Sequence, residues 1–265
     1  MDSASVTRAG LTALLAFAAT PAIAHESIAI PVRGHTVTVA YYRCAAGGAP
    51  KGTIIIGSGD VGWVGLGSEL AEFLSDEGYV TVGINVREYL EMFSTGASHV
   101  TPDDVGSDYA TIAASLRDRG LLPSPVIVSG VSEGAAMAVL AGAAPGNHAW
   151  IRGVMTLGLP PTAEMAWHWR DAATWFTKKD AEEPSIAPKD FVARVAPLPL
   201  WMIQSTKDEY VTPADYALID RMAQSPKQLT LIAASNHRFT DQKPELHKQV
   251  LAGLAWINLE LRTSN

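Results

Sequence analysis

The segment around residue 132 limits the possible folds of this chain more than any other part of it. A β-branched run at Pro125–Ser129 indicates a buried strand, and an Ala-rich run at Ala135–Ala141 indicates a helix. Between them stands Gly130-Val131-Ser132-Glu133-Gly134, which fits a sharp strand-to-helix turn with the serine at its apex. Glycine on either side lets neighbouring backbone come close enough to hold a strained residue. The pattern predicts a nucleophile elbow.

The same alternation of strand and helix extends along most of the chain. Ser27–Val32 and Thr36–Arg43 predict an opening antiparallel hairpin. The later strands are predicted at Thr53–Ile56, Tyr79–Ile84, Ile151–Leu157, Leu198–Gln204 and Gln228–Ala233. The helices are predicted at Leu66–Ser75 and at about 103–120, 213–223 and 244–261, and 85–102 is predicted as a long loop. This order predicts an α/β fold with a mostly parallel central sheet flanked by helices.

Residues 160–197 interrupt the alternation. This segment contains several aromatic residues, charges and prolines, and it shows no clear strand pattern. We predict that it forms a short lid inserted into a single α/β domain, which spans residues 25–265.

The first 24 residues differ in composition from the rest. A short run of small apolar residues, too short to span a bilayer as a helix, is followed by Ala22-Ile23-Ala24. This is the cleavage pattern of a secretory signal peptide. We therefore predict a signal peptide at residues 1–24, a mature chain that begins at His25, and a periplasmic or secreted protein. An uncleaved helix or anchor is the alternative.

Composition excludes several classes of protein. Hydrophobic residues make up 48% of the chain and charged residues 18%, which is typical of a globular enzyme and not of a disordered chain. The formal net charge of −7 gives no electrostatic reason to expect a nucleic-acid partner. Cys44 is the single cysteine, so an intramolecular disulfide is impossible.

A serine hydroxyl becomes a good nucleophile when a histidine takes its proton, and a carboxylate orients that histidine. In a fold of this kind the acid and then the histidine follow the serine, each in a loop after a later strand. Asp208 follows one predicted strand and His237 follows the last. We therefore predict Ser132, Asp208 and His237 as catalytic residues, with the adjacent Glu209 as the alternative acid.

Acyl transfer also requires donors for the oxyanion, and we expect these to be main-chain N–H groups. One is that of Glu133, directly after the serine, and the other is that of Asp60 or Gly59 in the loop after the third strand. We further predict that Gly59, Trp63 and Trp167 contact the substrate. The other histidines lack metal-ligand spacing, and neither a metal nor an organic cofactor is expected.

With these residues in place, the chain resembles an α/β-hydrolase over its predicted mature length. The Gly57–Trp63 loop, the Ser132 elbow and Asn236–Phe239 resemble bacterial VirJ/AcvB-type periplasmic proteins. The resemblance implies hydrolysis of aminoacylated lipids such as lysyl-phosphatidylglycerol. The chain departs from the family where Glu133-Gly134-Ala135-Ala136 follows the serine, since the family more often has an aromatic residue and then Gly-Ala-Asp.

We therefore predict an exported serine hydrolase that cleaves esters of small molecules or lipids through an acyl-enzyme, with peripheral membrane contact in the lipid case. Asp60 and Glu133 would flank the reacting centre and could pair with the ammonium group of an aminoacyl ester. Alternatively, Asp60 caps the following helix or pairs with an arginine. The alternative functions are an amidase or peptidase, and a non-catalytic accessory protein on a hydrolase scaffold.

Overall fold

The computed structural model describes residues 25–45, 48–95, 98–168 and 184–263. The predicted signal peptide lies outside the described residues, and so do residues 169–183 of the predicted lid. Within the described part of the chain, no helix is both long enough and apolar enough to cross a membrane.

A mostly parallel eight-stranded sheet forms the centre of the molecule, in the order β1-β2-β4-β3-β5-β6-β9-β10. The first two strands form an antiparallel hairpin, β2 also pairs antiparallel with β4, and the other pairs are parallel. A separate antiparallel pair of two-residue strands, β7 and β8, lies between β6 and β9 in the sequence. The strands are β1 Glu26–Val32, β2 His35–Tyr42, β3 Thr53–Gly57, β4 Val80–Ile84, β5 Val126–Val131, β6 Ile151–Leu157, β7 Ala163–Glu164, β8 Ser185–Ile186, β9 Leu200–Ser205 and β10 Lys227–Ile232.

Helices cover both faces of the sheet, and the core is therefore divided into two clusters of buried side chains. The α-helices of the described residues are α1 Leu66–Asp76, α2 Val86–Phe93, α3 Pro102–Asp118, α4 Glu133–Ala143, α5 Pro213–Met222 and α6 Lys243–Thr263. Strands β3, β4 and β5 are buried along their whole length, as parallel strands between two helical layers must be. The predicted fold class and opening hairpin are confirmed.

The prediction of a loop over residues 85–102 is wrong, because helix α2 occupies its first half. Asn85 caps this helix by accepting a hydrogen bond from the Glu88 N–H. Its buried residues are spaced at i, i+3, i+4 and i+7, which places them on one helical face. These are Val86, Tyr89, Leu90 and Phe93. The helix spans only eight residues, so the helical spacing of its apolar residues was too short to be recognised in the sequence.

A half-buried ion pair joins the β1–β2 turn to helices α2 and α3. The Arg33 guanidinium donates to both carboxylate oxygens of Asp108, with a shortest N···O distance of 2.7 Å. The Tyr89 hydroxyl donates to the same carboxylate at 2.7 Å. Asp108 is 1% exposed, so these donors replace the water that the carboxylate loses on folding.

The described ends of the predicted lid belong to the main body of the protein. Strands β7 and β8 pair with each other, so residues 160–197 contain a short strand pair where the sequence shows no clear strand pattern. Val192 and Val195, on a short 3₁₀ helix before β9, are buried in the core cluster that also contains α4. The residues on both sides of 169–183 are thus anchored by pairing and burial.

Candidate active site

Ser132 stands at the turn between β5 and α4 in a strained backbone conformation, with φ 53° and ψ −118°. Its N–H donates to the Leu157 carbonyl on β6 at 2.9 Å, which ties the turn to the neighbouring strand. A Cβ on Gly134 would lie 2.2 Å from the Gly57 carbonyl oxygen, and one on Gly130 would lie 2.0 Å from the Gly134 oxygen. The two glycines are required because backbone packs directly on backbone here.

Asp208 and His237 form a direct hydrogen bond. The Asp208 Oδ2 atom lies 2.6 Å from His237 Nδ1, and both side chains are almost fully buried. The second carboxylate oxygen of Asp208 accepts from the N–H groups of Tyr210 and Val211 at 2.9 and 3.0 Å. The carboxylate is therefore fixed by its own loop while it orients the imidazole.

Glu209, the alternative acid, contacts the same histidine at a different place. Its Oε2 atom accepts from the main-chain N–H of His237 at 2.8 Å, so it does not compete for the imidazole. The opposite ring nitrogen, Nε2, is buried and has no hydrogen-bond partner among the described residues. A histidine held at Nδ1 and unpaired at Nε2 is arranged to accept a proton from a nucleophile or substrate.

The loop after β3 adjoins the elbow. A Cβ on Gly59 would lie 3.5 Å from the Ser132 Cβ, at ordinary van der Waals distance, so this glycine lies directly beside the serine. Asp60 is exposed, and helix α1 begins at Leu66 without a side-chain cap. No hydrogen bond or ion pair holds the Asp60 side chain among the described residues, so the two structural roles considered for it are absent there.

Glu133 is partly buried beside a second glutamate that sequence reasoning missed. Its Oε2 atom accepts from the main-chain N–H of Glu164 at 3.3 Å. Burial, together with the charges of Glu164 and Asp60, raises the pKa of Glu133 to about 8. A carboxylate in the first turn of a helix is ordinarily favoured, but burial and two like charges outweigh that effect here. Glu133 is therefore mostly neutral at pH 7.

Trp63 and Trp167, the two aromatic residues predicted to contact the substrate, both pack against other parts of the protein. The Trp63 indole donates to the Tyr42 hydroxyl at 3.1 Å, and its ring lies in the space that a Cβ on Gly83 would fill. Trp167 is 5% exposed, and the Arg87 guanidinium stacks 4.2 Å from its ring centre.

The strand order, the strained serine and the Asp208–His237 pair identify an α/β-hydrolase fold, and solved structures agree. A putative dienelactone hydrolase from Klebsiella pneumoniae subsp. pneumoniae matches with a TM-score of 0.66 and 14% identity, over 88% of this chain and 98% of that one. An esterase from Pyrococcus furiosus matches with a TM-score of 0.63 and 17% identity, over 87% and 89%. A serine hydrolase without a lid from Xanthomonas campestris matches with a TM-score of 0.58 and 16% identity, over 87% and 94%.

The sequence identifies a narrower group of proteins than the fold does. A profile of the family described as bacterial virulence protein (VirJ) matches residues 52–256. The chain therefore belongs to the VirJ family, as its elbow, β3 loop and histidine segment predicted. No individually curated protein matches it. At 14–17% identity, the solved structures show the fold and leave the chemistry to the site.

Proposed function

We propose that this protein is an exported serine hydrolase that cleaves carboxylic esters through an acyl-enzyme on Ser132. The single observation that carries the proposal is the 2.6 Å contact between Asp208 and His237, which fixes the imidazole and leaves Nε2 unpaired. The elbow geometry of Ser132 supports the same assignment. In this scheme Ser132 is the nucleophile, His237 the general base and acid, and Asp208 the orienting carboxylate.

The reaction would proceed in two halves. Ser132 Oγ attacks the ester carbon while His237 Nε2 takes its proton, and the carbonyl oxygen becomes an oxyanion that the N–H groups of Glu133 and Asp60 stabilise. The C–O bond to the leaving alcohol then breaks, and Nε2 returns the proton to the alkoxide. Water repeats the attack on the acyl-enzyme and releases the acid and the free serine.

For the substrate we propose an ester that carries an ammonium group, such as an aminoacyl lipid. Asp60 supports this because its exposed carboxylate lies close enough to raise the Glu133 pKa and has no structural partner among the described residues. Glu133 is mostly neutral at pH 7, so Asp60 alone would supply the negative charge that pairs with the ammonium group. Gly59 lies beside the serine, and Trp63 and Trp167 are proposed to shape the surrounding walls.

The first test is reaction of the mature protein with a fluorophosphonate probe, which labels activated serines. We expect labelling of the wild type, and none in Ser132→Ala or His237→Ala. Ser107→Ala and His99→Ala, at exposed positions, serve as matched controls and should label normally. A correctly folded wild type that does not react would contradict the serine-hydrolase mechanism and favour the accessory-protein alternative.

The second test separates the substrate classes. Hydrolysis is measured with aminoacyl lipids in vesicles, with soluble aminoacyl esters, and with matched amides. We expect the vesicle-borne ester to be cleaved fastest and Asp60→Asn to raise KM for charged esters more than for neutral ones. Faster cleavage of amides would indicate an amidase or peptidase, and indifference to vesicles would indicate a soluble-ester hydrolase.

A further inference from the structure

Three consecutive residues of the turn after β9 contact His237, and each uses a different part of the histidine. Asp208 binds the ring nitrogen Nδ1 at 2.6 Å. Glu209 Oε2 accepts from the main-chain N–H at 2.8 Å. The Tyr210 ring packs edge-on against the imidazole, with 5.3 Å between ring centres and an interplanar angle of 83°. The contact between Glu209 and the His237 main chain has no role in the proposed acyl transfer.

The loop that carries His237 is held mostly by hydrogen bonds inside itself, and its first residues are joined to the end of β9, where the Ser205 hydroxyl donates to the Ala234 carbonyl at 3.1 Å. The Asn236 Oδ1 atom accepts from the N–H groups of Arg238 and Thr240 at 3.1 and 3.2 Å. Asp241 accepts from the Ser235 N–H at 2.9 Å. The bonds inside the loop fix its shape, and the bond from Ser205 to Ala234 holds it at a point three positions before His237. The bond from Glu209 crosses between the two loops at the catalytic histidine itself.

We infer that Glu209 is a positioning residue, which holds the backbone of His237 against the Asp208 turn so that the imidazole stays aligned for proton transfer. The inference rests on the proposed function, since alignment matters only if His237 serves Ser132. A hydrogen bond from an amide to a carboxylate is stronger than one between neutral groups, and this one is half-buried because Glu209 is exposed while His237 is buried. Two adjacent residues thus have different roles. Asp208 orients the imidazole ring, and Glu209 holds the main chain of His237 in position.

The hydrogen bond between Glu209 and the His237 N–H should affect the rate of the serine's reaction more than the binding of the probe. A displacement of the imidazole by a fraction of an ångström weakens proton transfer from Ser132, whereas the walls of the site are unchanged. Removing the carboxylate should therefore lower the maximal rate at which the fluorophosphonate phosphonylates the serine by about 10-fold and leave the probe concentration for half-maximal rate unaltered. A glutamine keeps an oxygen in the same place and should restore most of the rate.

The test compares Glu209→Ala and Glu209→Gln with the wild-type mature protein. Glu245→Ala, which removes a glutamate on α6 that pairs within its own helix, is the matched control. Two readouts are taken: the concentration dependence of fluorophosphonate labelling, and hydrogen exchange of the His237 amide by NMR. We expect Glu209→Ala to lose both maximal labelling rate and amide protection, and Glu209→Gln and the control to keep both.

The two readouts separate the two proposals. Unlabelled wild type would reject the serine-hydrolase function, while amide exchange would still report whether Glu209 holds the histidine loop. Labelled wild type with an Ala variant of unchanged maximal rate and unchanged protection would overturn the positioning role. A Gln variant as impaired in both readouts as the Ala variant would also overturn it, because the acceptor oxygen is retained.

Discussion

At the scale of single residues, Glu133 combines two properties that ordinarily conflict. Its main-chain N–H, directly after Ser132, is proposed as an oxyanion donor, while its side chain lies beside two other acidic residues. An ionised carboxylate at this position would oppose the developing negative charge of the transition state. Because burial raises the Glu133 pKa, the side chain avoids this conflict at neutral pH.

This arrangement predicts a pH dependence of stability. The Glu133 pKa is raised from 4.5 to about 8 on folding, so between these values the unfolded chain releases a proton that the folded chain keeps. The stabilising contribution is fully present below pH 4.5 and declines, by up to about 1.4 kcal/mol per pH unit, as the pH rises toward 8. Urea unfolding of wild type and Glu133→Gln from pH 4 to pH 9 measures it. We expect the difference between the two curves to grow in favour of Gln with rising pH; parallel curves would contradict the prediction.

Gly158 is a second residue on which the site depends. It has φ +62°, and a Cβ there would lie 2.6 Å from His237 Cε1. Gly158→Ala should displace the imidazole and slow fluorophosphonate labelling by on the order of 100-fold. Gly146→Ala is the control, because a Cβ at that position meets nothing within 4 Å. Labelling of Gly158→Ala at the control rate would show that the ring tolerates displacement.

At the scale of elements, the Arg33–Asp108 pair joins a hairpin turn to two helices. Asp108→Ala leaves Arg33 and Tyr89 without their shared acceptor in a mostly buried place. We expect a loss of about 3 kcal/mol in the free energy of unfolding, near the lower end for a broken buried pair because Arg33 is one-third exposed. Chemical denaturation measures it.

The matched comparison is the exposed pair between Glu26 and Arg43 on the same hairpin. Solvent screens that pair, so Glu26→Gln should change the denaturation midpoint far less than Asp108→Ala. Equal losses in the two variants would mean that burial does not set the strength of the Arg33–Asp108 pair.

At the scale of the whole molecule, the parallel strands bring distant parts of the chain to one edge of the sheet. Ser132 follows β5, Asp208 follows β9 and His237 follows β10, so each lies beyond the C-terminal end of its strand. The loop after β3 reaches the same edge, next to the serine. Ligand sites in open α/β sheets form where such loops converge.

The proposed export of the whole protein gives a separate prediction. Expressed with its first 24 residues in a bacterial host, the protein should be recovered from the periplasm with His25 as its first residue. Intact-mass measurement of the periplasmic fraction tests this. Ala24→Asp, which removes the small residue before the cleavage site, should block processing. An uncleaved, membrane-bound wild type would instead support the anchor alternative.

The local sequence determined most of the elements. Strands such as Thr53–Gly57 were predictable because continuous apolar runs need only their own residues to indicate burial. The elbow was predictable because its glycines and serine lie within five residues of one another. Helix α2 was missed because it has only eight residues. Polar residues separate its buried positions in the sequence, and so short a mixed segment also fits a loop.

Tertiary structure decided the choices between neighbours and the charge state of the site. Asp208 and Glu209 are adjacent acids, and only the path of the histidine loop assigns one to the imidazole and the other to the main chain. The neutral state of Glu133 depends first on its burial and then on the charge of Glu164, which is 31 positions away. Periodicity and turn chemistry act between near neighbours and can be read from the sequence. Hydrogen bonding and desolvation act through space, and they are fixed only when the sheet brings these loops together.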